Sequence, residues 1–171
     1  MRRIIAALFF SLLAVAPAAR AAPRDAEPKV IIADIYAALI KEQNRPAGDE
    51  GPAYNPPDDL YTPALAQAFK DEDRDRGDEL GRLDFFFWVN GQDWQLSGVE
   101  IEQRTVWRRT DRRVVTVAFR NFDQESLLAF YFQKIGGRWL IDDVESIDVV
   151  EGEEGYDWTL SLILKYAREE E

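Results

Sequence analysis

Between residues 29 and 43, apolar side chains recur at intervals of three and four residues, as they do on one face of a helix. This spacing predicts a helix from Lys29 to Gln43. The helix should end before Pro46, because a residue that precedes proline disfavours the helical conformation. Its apolar positions are Ile32, Ile35, Tyr36 and Leu39.

A second helix is predicted to begin near Thr62, after a loop over residues 46–59 that is rich in Pro, Gly and Asp. Thr62 suits the N-cap, and Pro63 suits the first helical position. The helix should pass into a run of charged residues and end by Gly77 or Gly81. Its apolar face consists of Leu65, Ala68 and Phe69.

From about Leu96 the apolar period changes to two, which indicates β-strands. Four antiparallel strands are predicted, and the alternation shifts phase at Asp142-Asp143, which indicates a bulge. A last helix is predicted from Trp158 to Arg168, with Asp157 as its cap. The turns between strands are placed at Asp111-Arg112, Asp123-Gln124 and Gly136-Gly137. The plan is α+β: a curved sheet of about four strands, covered by the N-terminal helices, with a C-terminal helix.

The first residues have the pattern of a signal peptide. Arg2 and Arg3 precede an apolar run from Ile4 to Val15, and Ala19-Arg20-Ala21 offers small residues for a signal peptidase. We therefore predict cleavage after Ala21, with Ala18 and Ala22 as alternative sites, and a periplasmic or secreted product. Residues 22–171 would then form a single domain, with no membrane anchor after cleavage.

The charge of the chain is strongly acidic, with a formal net charge of −11. Removal of residues 1–21 would leave 150 residues with a charge of −14, because that segment carries three arginines and no acidic residue. Such a surface repels nucleic acid and anionic lipid, so we expect neither as a partner.

The chain contains no Cys and no His, which limits the catalytic groups and metal ligands that it can offer. Disulfides, thiol or imidazole nucleophiles, Ser-His-Asp triads, zinc sites and haem ligation by His or Cys are excluded. Any catalysis would depend on carboxylates, Lys, Arg, Tyr or Ser. We expect no cofactor and no bound metal.

The C-terminal half also carries a resemblance to known proteins. The strands VTVAFRN and LLAFYFQK, the GG turn and the run RWLIDDVES are similar to the last strands of the nuclear-transport-factor-2-like superfamily, which has a cone-shaped fold. Together with the motifs YTPAL, LDF and GQDW, they resemble the domain-of-unknown-function 3828 family of exported bacterial proteins. The resemblance spans roughly Val30 to Ile163 and implies a cone fold and export. That family has no settled activity.

The segment from Leu83 to Trp94, LDFFFWVNGQDW, is the first candidate site. In the functional interpretation it lines the mouth of the cone and binds a ligand. A carboxylate among its aromatic rings would lose hydration, which would raise its pKa toward the range of a general base. In the structural interpretation the polar residues cap a turn and satisfy backbone groups. The predicted contact residues are Asp84, Trp88, Gln92, Asp93 and Trp94, with Asp84 and Asp93 as candidate general bases.

Three further segments have a functional and a structural interpretation. Asp71 to Gly77 resembles a calcium loop, but its Gly falls one position late and Arg82 stands where a Glu ligand is required. Asp142-Asp143 could direct a carboxylate inward near Tyr131 or Arg120, or serve only as a structural bulge. An arginine cluster could bind an anion or a partner's acidic face, or balance the neighbouring Glu100, Glu102 and Asp111. The cluster consists of Arg104, Arg108, Arg109, Arg112 and Arg113.

The sequence thus predicts an exported, non-catalytic binding or interaction module. Its partner would be a small molecule in the cone or an envelope protein on the sheet face. The alternative is a lyase, isomerase or hydrolase that uses Asp93 or Asp84 as general base. A third possibility is a structural or immunity-type partner of another secreted protein. The oligomeric state does not follow from the sequence.

Overall fold

The computed structural model describes residues 25–49, 51–77, 80–147 and 157–165. The predicted signal peptide, residues 1–21, and the domain boundary that follows it lie outside the described residues. Across the ranges that the structure does describe, no helix combines the length and the apolar character needed to span a bilayer.

The two predicted N-terminal helices are confirmed. Helix α1 is Pro28–Gln43, and its predicted apolar positions are buried. Helix α2 is Pro63–Arg76, and the Thr62 hydroxyl accepts the N-cap hydrogen bond from the Leu65 N–H at 3.4 Å. Between them, a short 3₁₀ helix spans Asp58–Leu60, so the predicted loop ends earlier than expected.

The sheet is a four-stranded antiparallel meander in the order β1-β2-β3-β4. Its α+β class confirms the predicted architecture. The strands are joined by a loop over residues 106–111, a tight turn at Phe122-Asp123, and the predicted glycine turn, where Gly136 and Gly137 have φ of 57° and 83°. The strand bounds are β1 Leu96–Thr105, β2 Arg112–Asn121, β3 Gln124–Ile135 and β4 Arg138–Ile147.

The predicted bulge in β4 is confirmed. Tyr131 faces Asp143 in the register, but the next residue, Phe132, faces Ile141, so Asp142 is the extra residue. A second irregularity lies in β1 between Ser97 and Glu100. Because bulges bend a strand and increase its twist, both contribute to the curvature of the sheet.

The last helix begins later than predicted. Helix α3 is Leu160–Leu164 and its N-cap is Thr159, not Asp157. Trp158 and Thr159 are not helical, because the Trp158 carbonyl accepts a hydrogen bond from Ser146 N–H at 2.9 Å and Thr159 bridges Glu145 at the β4 edge. The helix also ends earlier than the predicted Arg168, because Lys165 is its C-cap and adopts the left-handed conformation with φ of 55°. Residues 166–168 lie outside the described residues.

The core lies between α1, α2, α3 and one face of the sheet. Tyr36 of α1 contacts the rings of Phe119 and Phe130 at centroid distances of 5.8 and 6.5 Å. The segment that precedes β1 enters this core through Trp88 and Val89, which are 1% and 0% exposed. The helices and this segment therefore close the inner face of the sheet.

Candidate functional site

The segment from Leu83 to Trp94, here called the aromatic corner, contains a tight turn. The Phe86 N–H donates to the Gly91 carbonyl at 2.9 Å, and Asn90 adopts φ of 52°. Asn tolerates this left-handed conformation better than most residues. A Cβ on Gly91 would lie 3.1 Å from Nδ2 of Asn121, so only glycine fits here without displacing that side chain.

Trp88, a predicted ligand contact, is part of the core. Its ring stacks on Phe130 at a centroid distance of 5.0 Å, and its carbonyl accepts a hydrogen bond from the Tyr36 hydroxyl at 2.7 Å. Burial raises the pKa of Tyr36 well above its ordinary value. The space between α1 and the sheet is filled here by aromatic side chains. A ligand could reach Trp88 only by displacing them.

Trp94, another predicted contact, ties the corner to α1. Its ring is half-buried and lies 5.6 Å from that of Phe86, while its Nε1–H donates to the Leu39 carbonyl at 3.4 Å. Asn121 holds the same region from the sheet, donating through Nδ2 to the carbonyls of Val89 and Asp93 at 3.1 Å each. These contacts fix the backbone of the corner.

The three polar residues of the predicted site are exposed. Gln92 Nε2 donates to the Asp84 carbonyl at 3.3 Å, so the structure brings these two residues together. Asp93 is joined to the fold through its carbonyl, as its contact with Asn121 shows. The expectation that a carboxylate of Asp84 or Asp93 lodges among the aromatic rings is wrong, because the turn directs the rings inward and leaves both residues in solvent.

A surface groove lies beside the irregularity in β1 and adjoins the corner, since Asn90 Nδ2 donates to Oγ of its lining residue Ser126 at 3.5 Å. It encloses about 380 Å³ and is lined in part by Ser97, Phe119 and Ser126. The Arg120–Glu125 ion pair, at 3.0 Å, belongs to its wall. None of the five predicted contact residues lines this groove.

Asp142 and Asp143 are the buried carboxylates that the sequence placed at a bulge, with exposures of 8% and 0%. Asp143 accepts hydrogen bonds from Ser161 N at 3.0 Å and Ser161 Oγ at 2.7 Å, which joins α3 to β4. Asp142 accepts from the Thr62 hydroxyl and from Arg112 Nη1, both at 3.3 Å. The structural interpretation of this pair is therefore supported: the bulge anchors α2 and α3.

Tyr131 and Arg120 are the residues that were predicted to lie near these carboxylates. Tyr131 faces Asp143 across the strands. Its hydroxyl donates to Glu145 Oε2 at 2.5 Å, and Arg120 pairs with Glu125.

The aspartates that resemble a calcium loop lie on α2. Asp71 and Asp75 pair with Arg74 at 2.7 and 2.9 Å, and Asp73 pairs with Arg76 at 3.2 Å. In the described ranges, no group of three or more acidic side chains is arranged to hold a metal ion. This segment is a solvated helix end with internal ion pairs.

The predicted arginine cluster divides into two groups. Arg104, Arg109 and Arg112 lie near carboxylates, of Glu102 at 3.6 Å, Asp111 at 3.3 Å and Asp142 at 3.3 Å. The Arg109 hydrogen bond lowers the pKa of Asp111. These pairs support the charge-balance interpretation for part of the cluster.

The other two arginines lie over tryptophan rings. Arg108 lies 5.7 Å from the ring centre of Trp107, and Arg113 lies 4.8 Å from that of Trp139. Lys134, on β3, lies 5.1 Å from the same Trp139 ring. We call this region the basic end, defined as Trp107, Arg108, Arg109, Arg113, Lys134 and Trp139.

Sequence reasoning missed Trp107 and Lys134 as candidate contacts. Trp107 directly precedes two arginines in the loop between predicted strands, and a large aromatic in a short hairpin loop has little chance of reaching the core. The position of Trp107 in this loop could have indicated that its ring is exposed. Lys134 joins the region only through strand pairing, which the sequence alone does not display.

Comparison of the chain with protein-family models, with curated proteins and with solved structures finds no significant match. The resemblance to the domain-of-unknown-function 3828 family stays a prediction.

Proposed function

We propose that this chain is an exported, non-catalytic interaction module that binds another envelope protein through its outer surface. The observation that carries the proposal is the filling of the inner face by Trp88, stacked 5.0 Å from Phe130 and bonded to Tyr36. With that space occupied by the chain's own side chains, a small ligand has no room beside Trp88.

The exposed apolar side chains give the second support. Trp107 is 82% exposed and Phe122 is 53% exposed, at opposite ends of the sheet. Tryptophan is enriched at the centres of protein interfaces, so an exposed tryptophan is a candidate contact for a partner. Binding through the surface uses such groups, whereas binding inside the cone does not.

The enzyme alternative receives less support from the geometry. A general base at Asp84 or Asp93 would need a desolvated carboxylate beside a proton donor. Both residues are exposed, and the described residues show no hydrogen bond or ion pair to either carboxylate. The buried acids Asp142 and Asp143 are engaged in joining α2 and α3 to the sheet.

Photo-crosslinking in the cells that produce the chain tests the proposal. A benzophenone amino acid would be placed in turn at Gln92, Trp107 and Phe122, which are all exposed. Trp107 lies at one end of the sheet, and Gln92 and Phe122 lie near the other, where the Phe122 N–H donates to the Gln95 carbonyl. We expect one position to give a discrete adduct with a single envelope protein, recovered with the envelope fraction. The absence of a protein adduct at all three positions would overturn the proposal, and a metabolite retained by the native protein in mass spectrometry would assign the binding to a small ligand.

A further inference from the structure

The tip of the β1–β2 hairpin presents a tryptophan to solvent. Trp107 is 82% exposed, and the guanidinium of Arg108 lies 5.7 Å from its ring centre. Arg108 has φ of 60°, a conformation that costs energy for a residue with a Cβ. The loop therefore holds an aromatic ring and a cation side by side at its most exposed point.

A second tryptophan lies at the same end of the sheet, beneath two cations. Trp139 is 2% exposed, and its ring is flanked by Arg113 at 4.8 Å and Lys134 at 5.1 Å. Strand pairing brings these groups together, since Lys134 N–H donates to the Asp111 carbonyl at 2.8 Å. The hairpin tip and the glycine turn thus lie at the same end of the sheet, and Arg113 links to the tip through its 3.2 Å hydrogen bond to the Thr110 carbonyl.

Three cations on this surface, Arg108, Arg113 and Lys134, have no carboxylate partner within the described part of the chain. Arg113 Nη1 donates to the carbonyls of Thr110 and Arg112 at 3.2 and 2.8 Å, and Arg109 pairs with Asp111. The indole N–H of Trp139 has no hydrogen-bond partner among the described residues either. Cations and buried donors without acceptors are the groups that gain most from an incoming anion.

We propose that the basic end binds an acidic segment of a partner protein. Carboxylates of the segment pair with Arg108, Arg113 and Lys134, while an apolar residue beside them packs on the Trp107 ring. This inference rests on the proposed function and names its surface and the chemistry of the partner. Tryptophan and arginine are the residue types most enriched among the residues that dominate binding energy.

The contrast in charge favours this occupant. The chain as a whole has a formal net charge of −11, so the basic end is a local positive region on an acidic body. Such a distribution orients an approaching acidic partner toward this end and away from the rest of the surface. An anionic membrane presents negative charge over a wider area and would also repel the acidic body.

Peptide binding tests the inference directly. The probe is a short synthetic peptide rich in Glu and Leu, and its counterpart carries Gln at every Glu. Measured by calorimetry, the Glu peptide should bind, the Gln peptide should not, and added salt should weaken binding. Trp107→Ala and Arg108→Ala should each weaken binding about tenfold or more.

Matched variants at the other end of the sheet serve as controls. Phe122→Ala removes an exposed aromatic and Arg120→Ala removes an exposed arginine, and both should leave affinity within about twofold of the wild type. Equal binding of the Gln peptide, or equal loss in the control variants, would overturn the inference. So would stronger, Trp107-dependent binding to phosphatidylglycerol vesicles, which would assign the surface to a membrane.

The crosslinking experiment separates this inference from the proposed function. An adduct at Trp107 that disappears in Arg108→Glu supports both. An adduct at Gln92 or Phe122, with none at Trp107, keeps the interaction module but overturns the assignment of its surface. The absence of any adduct at the three positions removes the function on which the inference rests.

Discussion

Trp88 and Trp107 both lie in connections beside the sheet, yet the first is 1% exposed and the second 82% exposed. In the aromatic corner, four consecutive aromatic residues pack on the core, of which Phe87 and Trp88 are buried and the first two are half-buried. At the basic end, one tryptophan lies outside, among arginines. The comparison shows that the run of aromatic residues in the corner serves packing, whereas Trp107 in the hairpin loop is accessible to a partner.

The polar groups of the two regions follow the same division. Asp84 and Gln92 lie outside the sealed rings, and their link is a 3.3 Å hydrogen bond to a backbone carbonyl. At the basic end the cations lie directly over the rings of Trp107 and Trp139. Only the second region offers charge and apolar area in one place, which is the combination that binds partners.

The largest expected effect is the difference in unfolding free energy between alanine variants of the two tryptophans. Trp88→Ala removes a fully buried ring and should lower the free energy of unfolding by about 3–5 kcal/mol. Trp107→Ala removes an exposed ring and should change it by less than about 0.5 kcal/mol. Urea unfolding of both variants measures the difference. Similar losses of unfolding free energy in the two variants would contradict the assignment of Trp88 to the core and Trp107 to the surface.

The next effect concerns the buried acid that joins α3 to the sheet. Asp143→Ala leaves Ser161 N–H and Oγ without their acceptor and should cost about 2–3 kcal/mol. Asp93→Ala, at an exposed carboxylate, is the matched control and should cost less than about 0.5 kcal/mol. Thermal unfolding of both variants measures this. A loss at Asp93 equal to that at Asp143 would restore the aromatic corner as a site of a structurally important carboxylate.

Tyr36→Phe gives a smaller effect with a distinct pH dependence. Loss of the hydrogen bond to the Trp88 carbonyl should cost about 1–2 kcal/mol at neutral pH. Burial raises the pKa of Tyr36 in the folded state, so this group contributes no pH dependence below the unfolded pKa of about 10.

Above pH 10 the unfolded chain loses the Tyr36 proton while the folded chain keeps it, so wild-type stability falls as the pH rises toward the folded pKa. The Phe variant lacks this contribution and should lose stability less steeply. Urea unfolding across the alkaline range measures the two slopes. Identical slopes would mean that the Tyr36 hydroxyl reaches water and that the inner face is open.

The smallest expected effect is at the exposed acids of the aromatic corner. Asp84→Asn and Asp93→Asn should each change the unfolding free energy by less than about 0.5 kcal/mol. Neither change should alter binding of the Glu-rich peptide at the basic end, because these residues lie outside that surface. Calorimetry of the two variants checks this. Weaker peptide binding in either variant would extend the binding surface to the corner.

The helices and strands could be predicted because periodicity reports which face of an element is buried. The stripe of Ile32, Ile35 and Leu39 and the phase shift at Asp142 each reflect the inner face of the sheet. The predicted start of α3 was wrong because Thr159 pairs with Glu145, which is a contact between different elements of the fold. Periodicity carries no information on such a pairing.

The candidate site could be predicted only in part. The aromatic corner does lie at a junction between the helices and the sheet, as predicted. The direction of each side chain, however, depends on the turn at Asn90, and its φ of 52° could not be predicted from the sequence. The sequence predicted the arginines of the basic end but did not predict that Trp107 belongs to it. Lys134 and Trp139 join this region because they face each other in the register of β3 and β4.

Hydroxyl-radical footprinting of the tryptophans, read by mass spectrometry, tests the central claim most directly. In the free protein we expect rapid oxidation of Trp107 and almost none of Trp88. Addition of the Glu-rich peptide should protect Trp107, whereas the Gln-rich peptide should not. Oxidation of Trp88 at a rate near that of Trp107, or protection of Trp94 in place of Trp107, would contradict the account.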